Sequence, residues 1–564
     1  MHRAVCERLG PRTALRFKRH GVYRDLSWAD YRRQADWAAM GLIELGVQTV
    51  DRIALLSENR SEWLITDHAI LSAGAINVPL HAPLAASQVE YQVGHSEARG
   101  IVVSSQAQVD KVFEVLDSLP NLEFLISFDP IESPDTSIRT LSWQGLMHRG
   151  RQAGRMAVEE IRKREAALTG DDSATIIYTS GTTGNVKGVV LTHQNLITNA
   201  QETGKISFVE PDDILLSWLP YSHIYARTVD HYLTTWAGIV VVLAESTETL
   251  IDNLAEIQPT WLTAVPRFYE KVWASVERLP HDECQVQLRR IFGPRLKQLT
   301  SGGAPLPRHV CEAFFKTGIP LLEGYGLTET SPVISFNNIE NHRIGSVGQA
   351  IPGVNVKIAN DGEILTRGPH VMKEYWKHPE ATAEVIVDGW LHTGDVGELD
   401  PDGFLTVTDR KKDLIVTSSG KNVAPAKTEN LLTSDIYIDQ AVAYGDGRQF
   451  ISALIVPNFD TLKAKVSELN CSLGNIDGFI RTQSIVDFYE ERINALMQTV
   501  SQPERVRKFL LLARPFHVEN DELTSTLKVR RRHIITKYET HLAALYDDFR
   551  SPSTDVVPID SEPN

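Results

Sequence analysis

The chain has 564 residues, a formal net charge of −15, 42% hydrophobic and 23% charged residues; this is the composition of an ordinary globular protein, too long for one core, and predicts about two to four domains. The acidic balance weighs against nonspecific attraction to nucleic acid or to an anionic membrane, and the absence of any run of about 18 apolar residues weighs against a spanning helix. The four cysteines, Cys6, Cys284, Cys311 and Cys471, lack Cys-x-x-Cys spacing, which argues against a zinc cluster or a disulfide framework and suits thiols in a reducing cytoplasm.

The N-terminus from Met1 to Arg8 carries no apolar stretch of the secretory kind, so the expected compartment is the cytoplasm. Ser27 reads as an N-cap with Asp30 at N3, starting a helix. Arg52–Leu56 reads as a strand, 61–73 as a helix, and 75–80 and 100–103 as further strands. The apolar run 174–178 is another short strand, followed by a loop of small residues and by apolar Val189-Val190-Leu191. Runs at 238–243, 261–265 and 296–300 continue the pattern with helical stretches between them, so strands alternate with helices as in a parallel α/β sheet. From Gly345 the sequence becomes Gly-rich with short strands, and Asn360-Asp361-Gly362-Glu363 reads as a hairpin turn. The dense charges of Asp409-Arg410-Lys411-Lys412-Asp413 mark a boundary or a solvated turn. Ile485, Phe488, Tyr489, Ile493, Leu496 and Met497 recur at helical spacing, as on a core-facing helix. The tail 551–564, rich in Pro, Ser and acids, reads as disordered.

The loop Tyr178-Thr179-Ser180-Gly181-Thr182-Thr183-Gly184-Asn185-Val186-Lys187-Gly188 is the most informative segment. Its glycines permit close backbone approach, its hydroxyls can donate to phosphate oxygens, and Lys187 brings a positive charge. It is not a Walker A loop, because Lys187 is followed by Gly188 rather than Ser or Thr. The segment resembles the signature loop of the adenylate-forming (AMP-binding) superfamily, which includes acyl-CoA synthetases, luciferases and peptide-synthetase adenylation domains. Val186 stands where many members carry Pro, a departure that affects loop stiffness.

Further segments match that superfamily in its order. Ser301-Gly302-Gly303-Ala304-Pro305-Leu306 resembles the loop that lies along adenine. In Gly324-Tyr325-Gly326-Leu327-Thr328-Glu329-Thr330, Tyr325 can stack on the base. The resemblance assigns Thr328 to the α-phosphate and Glu329 to magnesium, which accepts one or two carboxylates beside phosphate and water oxygens. Asp395, in Gly389-Trp390-Leu391-His392-Thr393-Gly394-Asp395, corresponds to the acid that binds the ribose hydroxyls, with Arg410 as its companion. Lys528, in the run Glu522 to Arg531, corresponds to the lysine that reaches the site during adenylation; alone, that run would read as a solvated basic face, with Arg530-Arg531-Arg532 exposed. Ser525 stands where the family often has Pro. The expected ATP set is therefore Thr179, Ser180, Gly181, Thr182, Thr183, Gly184, Lys187, Gly302, Gly303, Ala304, Pro305, Tyr325, Gly326, Thr328, Asp395, Arg410 and Lys528, with Lys528, Thr328 and Glu329 catalytic.

The segment Trp218 to Arg227 resembles long-chain fatty acyl-CoA synthetases, in which the position of His223 lies near the acyl carboxylate. The alternative reading of His223 is a helix-entry histidine bonded to backbone. Tyr232, Leu233 and Trp236 read as tunnel lining or as core. Lys412 corresponds to the family's hinge and Gly420 to a loop on the CoA path.

The implied fold is α/β: a large N-terminal domain (1–410) of two α/β subdomains and a distorted β-barrel-like subdomain, then a small mobile α+β C-terminal domain (411–550) and the tail. The implied activity is an ATP-dependent fatty acid–CoA ligase, activating a medium- to long-chain acid as acyl-AMP and passing it to CoA, with ATP, Mg2+ and CoA required. Two alternatives stay open, an acyl-adenylate ligase loading a carrier protein and a noncatalytic acyl or nucleotide sensor. No nucleic-acid partner or spanning segment is expected, and peripheral contact at the inner membrane face and oligomeric state are left open.

Overall fold

Buried on both faces, the short apolar runs become central parallel strands, which is why they read as continuous rather than alternating patterns. Ile76–Leu80, Gly100–Val103 and Phe124–Ser127 are buried along their whole length. The computed structural model describes residues 1–132, 138–179, 186–418, 421–498, 500–517, 520–523 and 529–546. The chain divides into two compact units, Met1–Val407 and Thr408–Asn564.

Among the described residues the first unit holds three sheets. An eight-stranded sheet runs, in spatial order, Glu374–Tyr375, Lys187–Thr192, Ser173–Thr179, Ile76–Leu80, Arg52–Leu56, Gly100–Val103, Phe124–Ser127 and Arg139–Ser142. Its strands are parallel from Ser173–Thr179 outward, whereas Lys187–Thr192 and Glu374–Tyr375 are antiparallel additions. The flanks of the phosphate-loop candidate, Thr179 and Lys187, thus pair with each other. A nine-stranded sheet has parallel strands from Leu321–Gly326 through Gln298–Ser301, Trp261–Ala264, Ile214–Ser217 and Val240–Leu243 to Thr13–Arg19. The third sheet begins with the hairpin Asn355–Ile358/Glu363–Arg367, where Gly362 takes a positive φ of 84° at the turn. Four of its strands pair in an open path and the fifth, Leu405–Arg410, pairs with Trp390–Leu399 off that path, with no closed barrel among the described residues. The predicted cap at Ser27 is present, its Oγ accepting from the Asp30 N–H at 3.0 Å.

Three consecutive helical pieces, Ile224–Ala226, the π-helical Arg227–Leu233 and Thr234–Ala237, hydrogen-bond to elements of both large sheets. The second unit is built on the three-stranded sheet Ile438–Tyr444, Ile451–Pro457 and Val506–Leu511. Helix Gln483–Met497 presents Ile485, Tyr489, Ile493 and Met497 to its core at four-residue spacing, as the periodicity predicts. No helix among the described residues is long and apolar enough to cross a membrane.

Candidate active site

The two strands that flank the phosphate-loop candidate are pinned to each other and to their neighbours. Thr179 pairs with Lys187 and Tyr178 with Gly188. The Tyr91 hydroxyl donates to the Val186 carbonyl at 3.1 Å, and His95, one helical turn on, meets the Tyr178 hydroxyl at 2.9 Å. Thr179 and Lys187 are described; Ser180, Gly181, Thr182, Thr183 and Gly184 lie outside the described residues. The Lys187 ammonium rests 4.8 Å from the centroid of the Tyr375 ring.

That ring connects these strands to the next candidate. Strand Leu321–Gly326 ends in the one-turn helix Thr328–Thr330, which carries Thr328 and Glu329. A Cβ at Gly326 would run into the Pro332 carbonyl oxygen, so glycine is required where the chain turns back on itself. The Tyr375 hydroxyl donates to Glu329 Oε1 at 2.8 Å, and the Met372 N–H donates to the Glu329 carbonyl at 2.8 Å. Burial first, and then the Glu329 carboxylate, push the Tyr375 phenol well above its ordinary value, so it remains a donor.

A second link joins the base and sugar candidates. The Tyr325 hydroxyl donates to Asp395 Oδ2 at 2.7 Å across 70 residues of sequence. Asp395 is 3% exposed, and its N–H donates to Thr393 Oγ1 at 3.1 Å. The preceding turn is held by buried Glu363, which accepts from the Gly394 N–H at 2.9 Å and contacts His392 Nδ1 at 3.1 Å. His392 therefore orients this turn, and Trp390 is covered by Lys357 and Arg367.

The 302–305 segment follows strand Gln298–Ser301, with the Gly302 N–H reaching the Ala264 carbonyl at 3.3 Å. A Cβ at Gly302 would sit 3.1 Å from the Tyr225 ring, and Gly303 has a positive φ of 83°. Ala304 is half-buried and Pro305 exposed. Nearby Glu323 is pushed up to about 8 by burial, against the pull of a backbone hydrogen bond from Leu306.

His223 takes the helix-entry role: its Nδ1 accepts from the Tyr225 N–H at 3.2 Å. Tyr232 and Leu233 are core. The Tyr232 hydroxyl is engaged by Asp67 and Arg227, which removes it from the candidate tunnel lining. Asp67, His68 and His231 are spaced as metal ligands would be. Asp67 and His231 are already committed, since the Asp67 carboxylate accepts from Arg227, Asn77 and Tyr232 and contacts His231 Nε2 at 3.1 Å. With a guanidinium against that carboxylate, the group is a buried polar network and not a cation site.

In the second unit Arg410 and Lys412 are exposed. Between the two units' candidates stands Asp409 in sequence; it is buried, accepts from the Ala426 N–H at 2.9 Å and so caps helix Pro425–Leu432. Gly420 and Lys528 lie outside the described residues. Leu523 and Val529 pair in an antiparallel bridge. Beside it, Glu522 is buried, yet Arg514 and Lys537 outweigh the burial and hold its carboxyl down at about 2. Arg531 departs from the expected solvated run: it is held against Glu429 by two hydrogen bonds. Arg530 pairs with exposed Asp521.

Sequence reasoning therefore missed Tyr375, Glu363 and Glu323, each defined by a partner distant in sequence. Four of the described candidates of the first unit form two linked pairs, Tyr325 with Asp395 and Glu329 with Lys187 through Tyr375. Such pairs offer an aromatic face, a diol acceptor, a carboxylate for a hard cation and an ammonium for phosphate.

Comparison with known proteins identifies the family and the fold. Residues 2–376 match the family model described as AMP-binding enzyme, and residues 412–550 that of the AMP-binding enzyme C-terminal domain. The chain is 33% identical over 570 residues to the long-chain-fatty-acid–CoA ligase FadD15 of Mycobacterium bovis, covering 93% of each chain. It is 28% identical to the long-chain-fatty-acid–CoA ligase ACSBG2 of Xenopus laevis, covering 97% of this chain and 83% of that protein. Among solved structures, the adenylation domain of a carboxylate reductase from Mycobacterium chelonae superposes with a TM-score of 0.80 at 21% identity, covering 97% of this chain and 90% of that one. ATP-bound MatB from Rhodopseudomonas palustris gives 0.75 at 23% identity, covering 95% and 98%. At those identities the structures establish likeness of fold.

Proposed function

The chain belongs to the AMP-binding enzyme family, and we propose that it is an AMP-forming fatty acid–CoA ligase acting on medium- to long-chain acids. The observation that carries the reading is the Tyr325–Asp395 hydrogen bond, which sets a base-stacking ring beside a diol acceptor in an adenylate-forming fold. Similarity to long-chain-fatty-acid–CoA ligases along nearly the whole chain supports the choice of acid and acceptor.

In the first step a carboxylate oxygen of the substrate attacks the α-phosphorus of ATP. The new O–P bond forms as the bond to the pyrophosphate oxygen breaks, leaving acyl-AMP and pyrophosphate. No side-chain nucleophile is required. Tyr325 stacks on adenine against Gly302-Gly303-Ala304-Pro305, with Gly326 giving the turn room. Asp395 accepts from the ribose hydroxyls with Arg410 beside it. Thr179, Ser180, Gly181, Thr182, Thr183, Gly184 and Lys187 hold the outer phosphates, and Thr328 the α-phosphate. Charge builds on the phosphate oxygens as two anions meet, and Lys528 offsets it. A lone carboxylate among phosphate-binding groups fits Mg2+, so Glu329 would hold it; when bound, that ion neutralises phosphate charge.

In the second step the CoA thiol attacks the acyl carbonyl and AMP leaves. We assign Lys412 as the pivot on which the second unit exchanges Lys528 for the loop at Gly420, a recognised way to use one site twice. His223 lies at the entry of the acyl site. We further infer a cytoplasmic enzyme with peripheral contact at the inner membrane face, since its substrate partitions into lipid.

The test is a carboxylic-acid panel with ATP, magnesium and either CoA or a carrier protein, products being read by mass spectrometry. The expected products are AMP and fatty acyl-CoA. Lys528→Ala should lower acid-dependent pyrophosphate release by about 10²- to 10³-fold while sparing thioester formation from supplied acyl-AMP. Undiminished pyrophosphate release in that variant, or acyl transfer to carrier protein alone, refutes the assignment.

A further inference from the structure

We propose that Tyr375 is a positioning residue: its hydroxyl fixes the Glu329 carboxylate, and its ring keeps the Lys187 ammonium apart from that carboxylate, so that one is kept for a divalent cation and the other for phosphate. This rests on the function proposed above and extends it to a residue that the sequence motifs do not single out.

Three observations converge on Tyr375. Its backbone is fixed by the strand Lys187–Thr192, because Tyr375 stands opposite Val189 and the Trp376 N–H donates to the Gly188 carbonyl at 2.7 Å. The same short segment grips Glu329 twice, through the Met372 N–H on its carbonyl and the Tyr375 hydroxyl on Oε1, both at 2.8 Å. The face of the same ring carries Lys187 at 4.8 Å. Two opposite charges thus share one side chain, the anion at its hydroxyl and the cation on its face. Among the described residues no ion pair joins them.

The arrangement has a chemical use. An ammonium and a carboxylate in a half-buried site would otherwise neutralise each other, and nucleotide and metal would first have to break that pair. With Oε1 committed to the phenol, Oε2 is left for the cation and the carboxylate plane cannot swing. The cation–π contact gives the ammonium a resting place that phosphate can outcompete, since such a contact is weaker than an ammonium–phosphate pair. Tyrosine is needed for both halves, and phenylalanine keeps only the ring.

The test is Tyr375→Phe, read by Mn2+ binding in the presence of a nonhydrolysable ATP analogue, followed by electron paramagnetic resonance, and by the Mg2+ dependence of pyrophosphate release. Losing a hydrogen bond to a charged group predicts cation binding weakened by about 10- to 100-fold, with kcat at saturating Mg2+ much less affected. The same change in a Glu329→Gln background should have no further effect on either readout. Unchanged Mn2+ affinity in Tyr375→Phe overturns the proposal, and so does a loss of equal size with and without the Glu329 carboxylate, which would indicate a general packing role. If wild-type enzyme forms no acyl-AMP, the functional reading fails instead; if it does and Tyr375→Phe matches it at every Mg2+ concentration, only the role of Tyr375 falls.

Discussion

The helix that starts at His223 carries two fully buried ionisable side chains, Arg227 and Asp230, that face different neighbours and have opposite electrostatic fates. Arg227 meets the Asp67 carboxylate, the Thr175 hydroxyl at 2.6 Å and the Tyr232 hydroxyl at 3.0 Å. Burial would raise Asp67, but Arg227, with His231 assisting, outweighs it and holds that carboxyl well below the usual range. Asp230 is as deeply buried and accepts from the Ser217 hydroxyl at 2.8 Å and from Thr263. Hydroxyls alone do not offset its desolvation, and it is pushed up to about 7. Burial does not decide the charge of an acid; a cation within reach does. Together the two sites fasten one helix to elements of both large sheets, one by charge and the other by neutral hydrogen bonds.

The sharpest way to break this contrast is Arg227→Met. It leaves the Asp67 carboxylate buried without its cation, a change that costs about 3–5 kcal/mol. All ten tryptophans precede residue 408, so denaturant unfolding followed by tryptophan fluorescence reports on the first unit alone. Adding Asp67→Asn should recover part of the loss. A cost below 1 kcal/mol for Arg227→Met would mean that the ion pair is not what lowers Asp67.

A second effect appears on acidification. His2 stacks on His68 with ring centroids 3.7 Å apart, and His68 lies 4.6 Å from His231. Burial first, then neighbouring histidines and Arg32, hold His2 and His68 well below the ordinary histidine value, and burial lowers His231 despite Asp67. The sign is fixed by proton uptake on unfolding. Below about pH 6.5 the unfolded chain protonates these rings and the folded one does not, so stability present above that pH is lost as pH falls. Each ring contributes a slope of about 1.4 kcal/mol per pH unit. His68→Gln should therefore lessen the acid slope of the first unit by about that amount, measured as unfolding midpoints between pH 5 and 6.5. An unchanged slope would mean that His68 already binds a proton in the folded state.

These buried sites also mark where sequence reading stops. The strands were legible because β-branched and apolar runs such as Gly100–Val103 are buried throughout, and the periodicity of Gln483–Met497 announced its inner face. The nucleotide candidates could be named because loop chemistry is local: glycines where the chain must turn, hydroxyls and a lysine suited to phosphate. Asp67 and Arg227, 160 residues apart, carry no local sign that they meet. Tyr375 and Glu329, 46 residues apart, are joined only once Glu374–Tyr375 is added to the edge of strand Lys187–Thr192. Tyr232 stayed open between tunnel lining and core for the same reason. Its aromatic ring suits a tunnel wall, and only the fold shows its hydroxyl bound to Asp67. Arg531 read as a solvated charge because Glu429 lies 102 residues away.

Asp230→Asn should have the smallest effect and tests the other half of the contrast. A carboxyl raised to about 7 binds its proton in the folded state while the unfolded chain, with an aspartate near 3.9, has released it. The wild-type protein therefore loses stability from this group as pH rises from about 4 to 7, opposite in sign to the histidines. Asparagine keeps the shape and a carbonyl oxygen for one hydroxyl, and the second hydroxyl can rotate to accept from the amide. At pH 5.5 the variant should differ from wild type by less than about 1 kcal/mol, the scale of one rearranged hydrogen bond. At pH 8 it should be the more stable of the two, because it carries no charge to bury. If Asp230→Asn instead costs as much as Arg227→Met at both pH values, Asp230 is ionised and paired, and the two faces of the helix are held by the same force.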